Sequence, residues 1–260
     1  MSTFLFDEII FGPVKSRRLG VSLGINLLPV KRKICNFNCI YCECGWTEDT
    51  EKAVNKLPNR EEVHNALKHK LIELKNKNHS PDVITYAGNG EPTLHPEFAG
   101  IIDDSIKLRD KYFPHAKIAV LSNATTISYP EIKEALLKID MNILKLDSAI
   151  DSTIKLHNQP RTVIVAEELI NLLAGFNGKV IIQTLFLRGR HEGKEIDNTT
   201  PVEINAWLKA LEKIKPSEVM IYTISRDTPA GSTLMKVPLN ELKAIASLVE
   251  GIGIKTQVAG

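Results

Sequence analysis

Residues 117–148 read KIAVLSN, then ATTISYPEIKEALLKIDM, then NILKLDS. The two outer stretches are aliphatic runs, too short for a free-standing helix and too continuously apolar for a strand with one wet face. Between them, Ser128 stands three residues before Glu131. That is the spacing of a capping box, in which each residue's side chain satisfies a free backbone N–H at a helix start. Strand, helix and strand in this order make the parallel βαβ unit, whose crossover is right-handed.

The same alternation runs outward in both directions. VSLGINLLP (21–29), DVITYAG (82–88), KVIIQTLFL (179–187) and EVMIYTI (218–224) are further buried-strand runs. Asn59 precedes Glu62 by three, and Val63, Leu67, Leu71 and Leu74 then follow one helical face. Thr200-Pro201-Val202-Glu203 opens another helix with proline where a missing N–H costs nothing. A last helix carries Leu242, Ile245, Ala246 and Val249 before a glycine stop at Gly251. About six strand–helix units predict an α/β fold of parallel strands. Six falls short of the eight of a closed TIM barrel, and a doubly wound open sheet accounts for the same periodicity. In either architecture ligands bind at the carboxyl ends of the strands. The residues there are Gly88 to Glu91, Ser122-Asn123, Asp147-Ser148, Arg188 and Ser225-Arg226, small, polar or charged after apolar runs.

The chain has 260 residues, 43% hydrophobic and 25% charged, which excludes disordered and fibrous classes. Lysine and arginine number 33 against 31 acids, a net charge of +2, so a strongly basic nucleic-acid coat is excluded while local basic patches remain open. No apolar run approaches the ~20 residues of a membrane span, and MSTFLFDEII lacks the order of a secretory signal. The expected location is the cytoplasm. No linker or repeat interrupts the sequence, so residues 1–260 read as one domain.

All four cysteines lie in Lys33-Ile34-Cys35-Asn36-Phe37-Asn38-Cys39-Ile40-Tyr41-Cys42-Glu43-Cys44. A disulfide framework is out of place in a cytosolic chain of this size. Metal ligation is the remaining chemistry. A structural zinc wants two separated ligand pairs. Here Cys35, Cys39 and Cys42 have no second pair, although His95 or His115 offers a completing ligand. An iron–sulfur cluster is the alternative. Three thiolates on a four-iron cluster leave one iron open to a substrate or cofactor.

Cys35-x3-Cys39-x2-Cys42, with Tyr41 before the third cysteine, follows the first expected strand, and Gly88-Asn89-Gly90-Glu91-Pro92 ends the second. In these two motifs the chain resembles the radical S-adenosylmethionine (SAM) superfamily over about residues 18–225, leaving a helical extension at 226–260. The resemblance implies a partial (β/α)6 TIM-type barrel with a 4Fe–4S cluster on Cys35, Cys39 and Cys42. S-adenosylmethionine would chelate the open iron, and its reductive cleavage would give a 5′-deoxyadenosyl radical that abstracts a substrate hydrogen. Cys44 has no counterpart in the motif and reads as a spare thiol, with an alternate ligand or a redox-active thiol as the other reading. Gly88, Gly90 and Glu91 are then expected at the methionine ammonium. Ser122 and Asn123 face a carboxylate or ribose, Asp147 with Ser148 the ribose hydroxyls, and Tyr41 the adenine through its backbone. Gln183, a buried amide among aliphatics, is either a cofactor contact or part of a structural network. Tyr222 and Arg226 are candidates for the substrate side, and no acid, base or hydrogen donor is assigned.

Phe11-Gly12-Pro13-Val14, Ser16-Arg17-Arg18-Leu19-Gly20 and Ser122-Asn123-Ala124-Thr125 are similar to iron–sulfur oxidoreductases related to the wyosine-forming tRNA enzymes. This chain has no spare cysteines for the second cluster of those enzymes. Lys15, Arg17, Arg18, Lys31, Arg32, Lys33, Arg188, Arg190, His191 and Arg226 gather near the expected mouth, either as phosphate contacts or as solvated and rim residues. The expected partners are an external one-electron donor such as flavodoxin or ferredoxin, and a substrate that is an RNA, a peptide or a small metabolite, with no membrane. A rival of another class is a non-catalytic RNA-binding module with a zinc knot.

Overall fold

The computed structural model describes residues 4–48, 56–226 and 228–260. In chain order its elements are β1 (Ile10–Ser16), β2 (Gly20–Ile25), α1 (Arg60–Asn76), β3 (Val83–Tyr86), α2 (Phe98–Tyr112), β4 (Lys117–Ser122), α3 (Pro130–Lys138) and β5 (Met141–Lys145). There follow α4 (Asp151–Asn158), α5 (Ala166–Ala174), β6 (Ile181–His191), β7 (Lys194–Asp197), α6 (Pro201–Ile214) and β8 (Glu218–Thr223). The last are β9 (Leu234–Lys236), α7 (Leu239–Gly251) and β10 (Lys255–Ala259).

One sheet runs β1-β2-β3-β4-β5-β6-β8-β10. From β2 onward every neighbour pair is parallel, and the sheet curls into the half-barrel of a partial TIM fold. The two faces are filled differently. Outside, α1, α2, α3, α5, α6 and α7 set apolar residues against Ile84, Val120, Leu144, Ile182 and Ile221 in one continuous core. Inside, Val83, Ala119, Ile143, Ile181 and Met220 form a separate small cluster. A doubly wound sheet would carry helices on both faces; here the concave face is closed by its own side chains.

All six expected strands are present. Three features were not anticipated. β1 pairs antiparallel with β2. β6 outruns its apolar stretch to carry β7 and β9 as antiparallel partners. The stretch after residue 226 holds α7 but ends in β10, a seventh parallel strand on β8 rather than a purely helical extension. β1 and β10 are edge strands with much exposed surface, so neither shows a continuous apolar run.

Helix starts follow local chemistry. Asn59 and Glu62 form the reciprocal capping box, worth about 1 kcal/mol. The expected box at Ser128 does not form: α3 starts at Pro130 with no side-chain cap, its proline supplying the fixed φ instead. At α6 Thr200 caps, but the Glu203 carboxylate turns inward to accept from Ser148 Oγ (2.6 Å) and Thr153 Oγ1 (2.5 Å).

Candidate functional site

The cysteine segment is held from two sides by backbone pairing. On one side Ile34 N–H donates to Asn89 O (2.9 Å) and Glu91 N–H to Ile34 O (3.0 Å), making an isolated parallel bridge between Ile34 and Gly90. Gly90 has φ +135°, and a Cβ there would lie 1.8 Å from Ile34 O, so only glycine permits the approach. On the other side Asn38 N–H donates to Gln159 O (3.1 Å) and Ile40 N–H to His157 O (3.0 Å). The loop is therefore clamped between the turn after β3 and the end of α4.

Cys35, Cys39, Cys42 and Cys44 all line one cavity of about 290 Å³, and none is in a disulfide. Amide donors approach two of the sulfurs. Asn158 Nδ2 lies 3.5 Å from Cys39 Sγ, and Cys35 Sγ has Phe37 N at 3.4 Å and Asn123 Nδ2 at 3.6 Å. Burial pushes the Cys35 thiol up to about 12, against the opposing charge of Lys33. Burial also raises Cys39. A hydrogen bond from Cys44 and the nearby Lys33 charge bring Cys42 down to about 5, and Cys44 is raised in return. Lys33 is buried and donates to Gly45 O (2.9 Å); burial lowers its pKa, but the cysteines beside it more than reverse this.

Among the described residues no three His, Cys, Asp or Glu side chains are grouped to hold a single ion. A tetrahedral zinc at about 2.3 Å per sulfur needs such a tight group, whereas a cluster takes each thiolate on a different iron. The histidines offered as completing ligands are elsewhere. His95 is buried on Pro58 O (2.8 Å) and Glu97 N (3.1 Å), and His115 is exposed; neither lines the cavity.

Tyr41, Gly88, Gly90, Glu91, Ser122, Asn123 and Gln183 meet at this cavity with the cysteines. Several are already engaged. Glu91 is buried, with Oε1 accepting from Thr93 N (3.1 Å) and Oγ1 (2.6 Å) and Oε2 from Asn123 N (2.6 Å). Burial raises its pKa against these donors. Ser122 Oγ accepts from Ala124 N (3.1 Å), and the Asn123 amide binds Asn36 Oδ1 (2.7 Å). Gln183 is buried, and its amide makes no hydrogen bond to protein among the described residues. Asp147 does not line the cavity. Its oxygens accept from the Tyr41 hydroxyl, Asn158 Nδ2 (2.7 Å) and Leu185 N (2.9 Å), so it braces the residues that line the site. Ser148 is likewise turned away, towards Glu203.

Of the basic residues, Arg17, Arg18, Lys33 and Arg226 line the cavity, and Tyr222 does too; Lys15, Lys31, Arg32, Arg188, Arg190 and His191 do not. Sequence reasoning missed Lys145 and Asn158. Lys145 lines the cavity, and its Nζ lies 3.3 Å from Tyr222 Oη and 3.5 Å from Asp147 Oδ2. It left a trace, a lone cation in NILKLDS, two residues before Asp147 and so on the same strand face. Asn158 left none, being 119 positions from the cysteine it touches.

The pattern of the Radical SAM superfamily matches residues 32–199. The chain is 30% identical over 249 residues to a UPF0026 protein of Helicobacter pylori, covering 94% of this chain and 74% of that protein. It is 33% identical over 223 residues to a Brachyspira hyodysenteriae protein named GTPase Obg, covering 84% of this chain but only 30% of that protein's length. Among solved structures it resembles a radical SAM methyltransferase from Sphaerobacter thermophilus, with TM-score 0.67, 13% identity, and coverage of 92% of this chain and 65% of that one. An archaeal TYW1 aligns with TM-score 0.51, 14% identity, and coverage of 88% and 71%. The chain belongs to the radical SAM superfamily and to the UPF0026 family. That superfamily is one of enzymes that use a 4Fe–4S cluster and S-adenosylmethionine and generally need an external reductant. No described helix is long and apolar enough to cross a membrane.

Proposed function

We propose that Cys35, Cys39 and Cys42 hold the 4Fe–4S cluster and that the cavity beside them binds S-adenosylmethionine for hydrogen abstraction from a substrate. The observation that carries this reading is the meeting of these three sulfurs with Gly88, Gly90 and Glu91 at one cavity. The donor set suits the group, since amide N–H donors at the sulfurs and a buried lysine beside them favour bound thiolates. When bound, the cluster supplies the electron that splits the sulfonium C–S bond of the cofactor.

The protein's own work is orientation and exclusion of water. Gly88 and Gly90 line the cavity with main chain, their missing side chains letting Asn26 and Ile34 pack close behind them. Gln183 offers an amide with no partner among the described residues, and Phe37, Leu121, Leu185 and Ile224 give the cavity apolar walls. The Cys44 sulfur lies 3.3 Å from Gly88 O, and Cys44 serves as a neighbouring thiol rather than a ligand. The reading includes a cytoplasmic setting and a flavodoxin or ferredoxin as electron donor. A second reading, modification of an RNA, draws on the five cations at the cavity, Arg17, Arg18, Lys33, Lys145 and Arg226, against peptide or small-metabolite substrates.

Anaerobic reconstitution tests the proposal. The wild type takes up four irons' worth of visible iron–sulfur absorption, and S-adenosylmethionine changes the paramagnetic resonance spectrum of the reduced protein. A colourless protein, or a spectrum indifferent to S-adenosylmethionine, would refute it.

A further inference from the structure

One step from the apolar floor of the barrel towards its mouth, the inward side chains become polar. Lys145, Gln183 and Tyr222 each stand two residues beyond Ile143, Ile181 and Met220 on their strands, and all three line the cavity. Arg18 joins them from the turn between β1 and β2. Its guanidinium sits 4.3 Å from the centre of the Tyr222 ring. It makes no hydrogen bond or ion pair among the described residues, and its Nη1 is buried with no partner. A guanidinium carries five donors and no acceptor, so this is an unmet demand for oxygen.

The acids at the cavity do not meet it. Glu43 is taken by Arg226 (2.7 Å), and Glu91 by Thr93 and Asn123. Asp147, behind the cavity, already pairs with Lys145 (3.5 Å) while accepting from Asn158 and Leu185. Arg18 is held in place by its main chain, since Gln257 Nε2 donates to Arg18 O (3.0 Å), and its neighbour Arg17 donates to Ser225 Oγ and Gly260 O (both 2.9 Å). The Tyr222 hydroxyl accepts from Lys145, which leaves its own proton to donate. The cluster of groups is thus rich in donors, fixed, and short of an anion.

We propose that Arg18, Lys145 and the Tyr222 hydroxyl form the docking place for an oxyanion on the substrate, a carboxylate or a phosphate, with Gln183 as a further donor. This rests on the reading of the cysteine site given above, and names the chemical class of what is bound beside it. Lys145 remains a cation there, because Asp147 and Tyr222 outweigh the effect of burial.

The test uses the anaerobic, cluster-loaded protein with S-adenosylmethionine bound. Calorimetric titrations with inorganic phosphate and, separately, acetate are run at ionic strength held constant with chloride. The wild type binds one of them saturably, phosphate marking a phosphorylated substrate and acetate a carboxylic acid. Arg18→Gln and Lys145→Gln each weaken that binding about tenfold or more, while keeping their iron content and the spectral change caused by S-adenosylmethionine. Arg18→Lys recovers part of the loss. The inference is overturned if the wild type binds neither anion, if the variants bind as the wild type does, or if Arg18→Gln loses the response to S-adenosylmethionine together with the anion. A wild-type spectrum that S-adenosylmethionine leaves unchanged overturns the broader reading and this inference with it.

Discussion

The side-chain amide of Asn158, at the end of α4, lies 3.5 Å from the sulfur of Cys39 and donates at 2.7 Å to Asp147. An N–H directed at a thiolate stabilises its negative charge, and in an iron–sulfur site such donors set the reduction potential. Asn158→Leu is expected to shift the cluster's midpoint potential negative, on the order of 50 mV, from the worth of one hydrogen bond to a charged group. Potentiometric titration followed by paramagnetic resonance measures it, with iron content as the control for folding. An unchanged potential would show that the contact has no electronic role.

The four cysteines are predicted to divide three to one. Cys35→Ala, Cys39→Ala and Cys42→Ala each reduce S-adenosylmethionine cleavage to background, whereas Cys44→Ala keeps most of it. Counting 5′-deoxyadenosine by mass spectrometry under anaerobic conditions decides this, and an equal loss with Cys44→Ala would overturn the ligand assignment.

Two glycines at positive φ make a matched pair for stability. At Gly193 (φ +77°) an added carbon meets nothing within 4 Å, so Gly193→Ala is expected to cost about 1 kcal/mol of backbone strain. At Gly90 the same carbon strikes Ile34 O at 1.8 Å, and Gly90→Ala is expected to cost about 3 kcal/mol or more. It also displaces the cysteine loop, so iron uptake falls with stability. Urea unfolding and iron analysis of both variants provide the comparison, and equal costs would contradict it.

His157 is fully buried, and neither ring nitrogen has a partner among the described residues. Burial holds its pKa down to about 4, with Asp147 and Asp197 only partly opposing. The unfolded chain therefore binds a proton that the folded one refuses, so stability present above pH 6.5 is lost as pH falls towards 4. The displacement amounts to on the order of 3 kcal/mol, about 2 of it gone by pH 5. His157→Leu has no proton to refuse and is expected to lose correspondingly less between pH 7.5 and pH 5 in urea unfolding. Parallel losses in the two proteins would refute this.

What the sequence disclosed follows from where each residue's partners lie. The six inner strands were legible because burial on both faces leaves unbroken aliphatic runs. β1 and β10 were not, since an edge strand with a wet face carries a weaker pattern. The cysteine spacing and Gly88-Asn89-Gly90-Glu91 were legible because their chemistry is local to the chain. Asn158 and Arg18 act through contacts made only once the sheet has curled, Arg18 reaching Tyr222 from the far side of the barrel. The position of Asp147 at a strand end is legible in the sequence, whereas the hydrogen bonds it accepts from Tyr41, Asn158 and Leu185 come from residues distant along the chain.

The apolar plug of Val83, Ala119, Ile143, Ile181 and Met220 has a consequence for what lies above it. It fills the concave face of the half-barrel with side chains one step below Lys145, Gln183 and Tyr222, so whatever rests in the cavity sits on an oily base under a ring of polar groups.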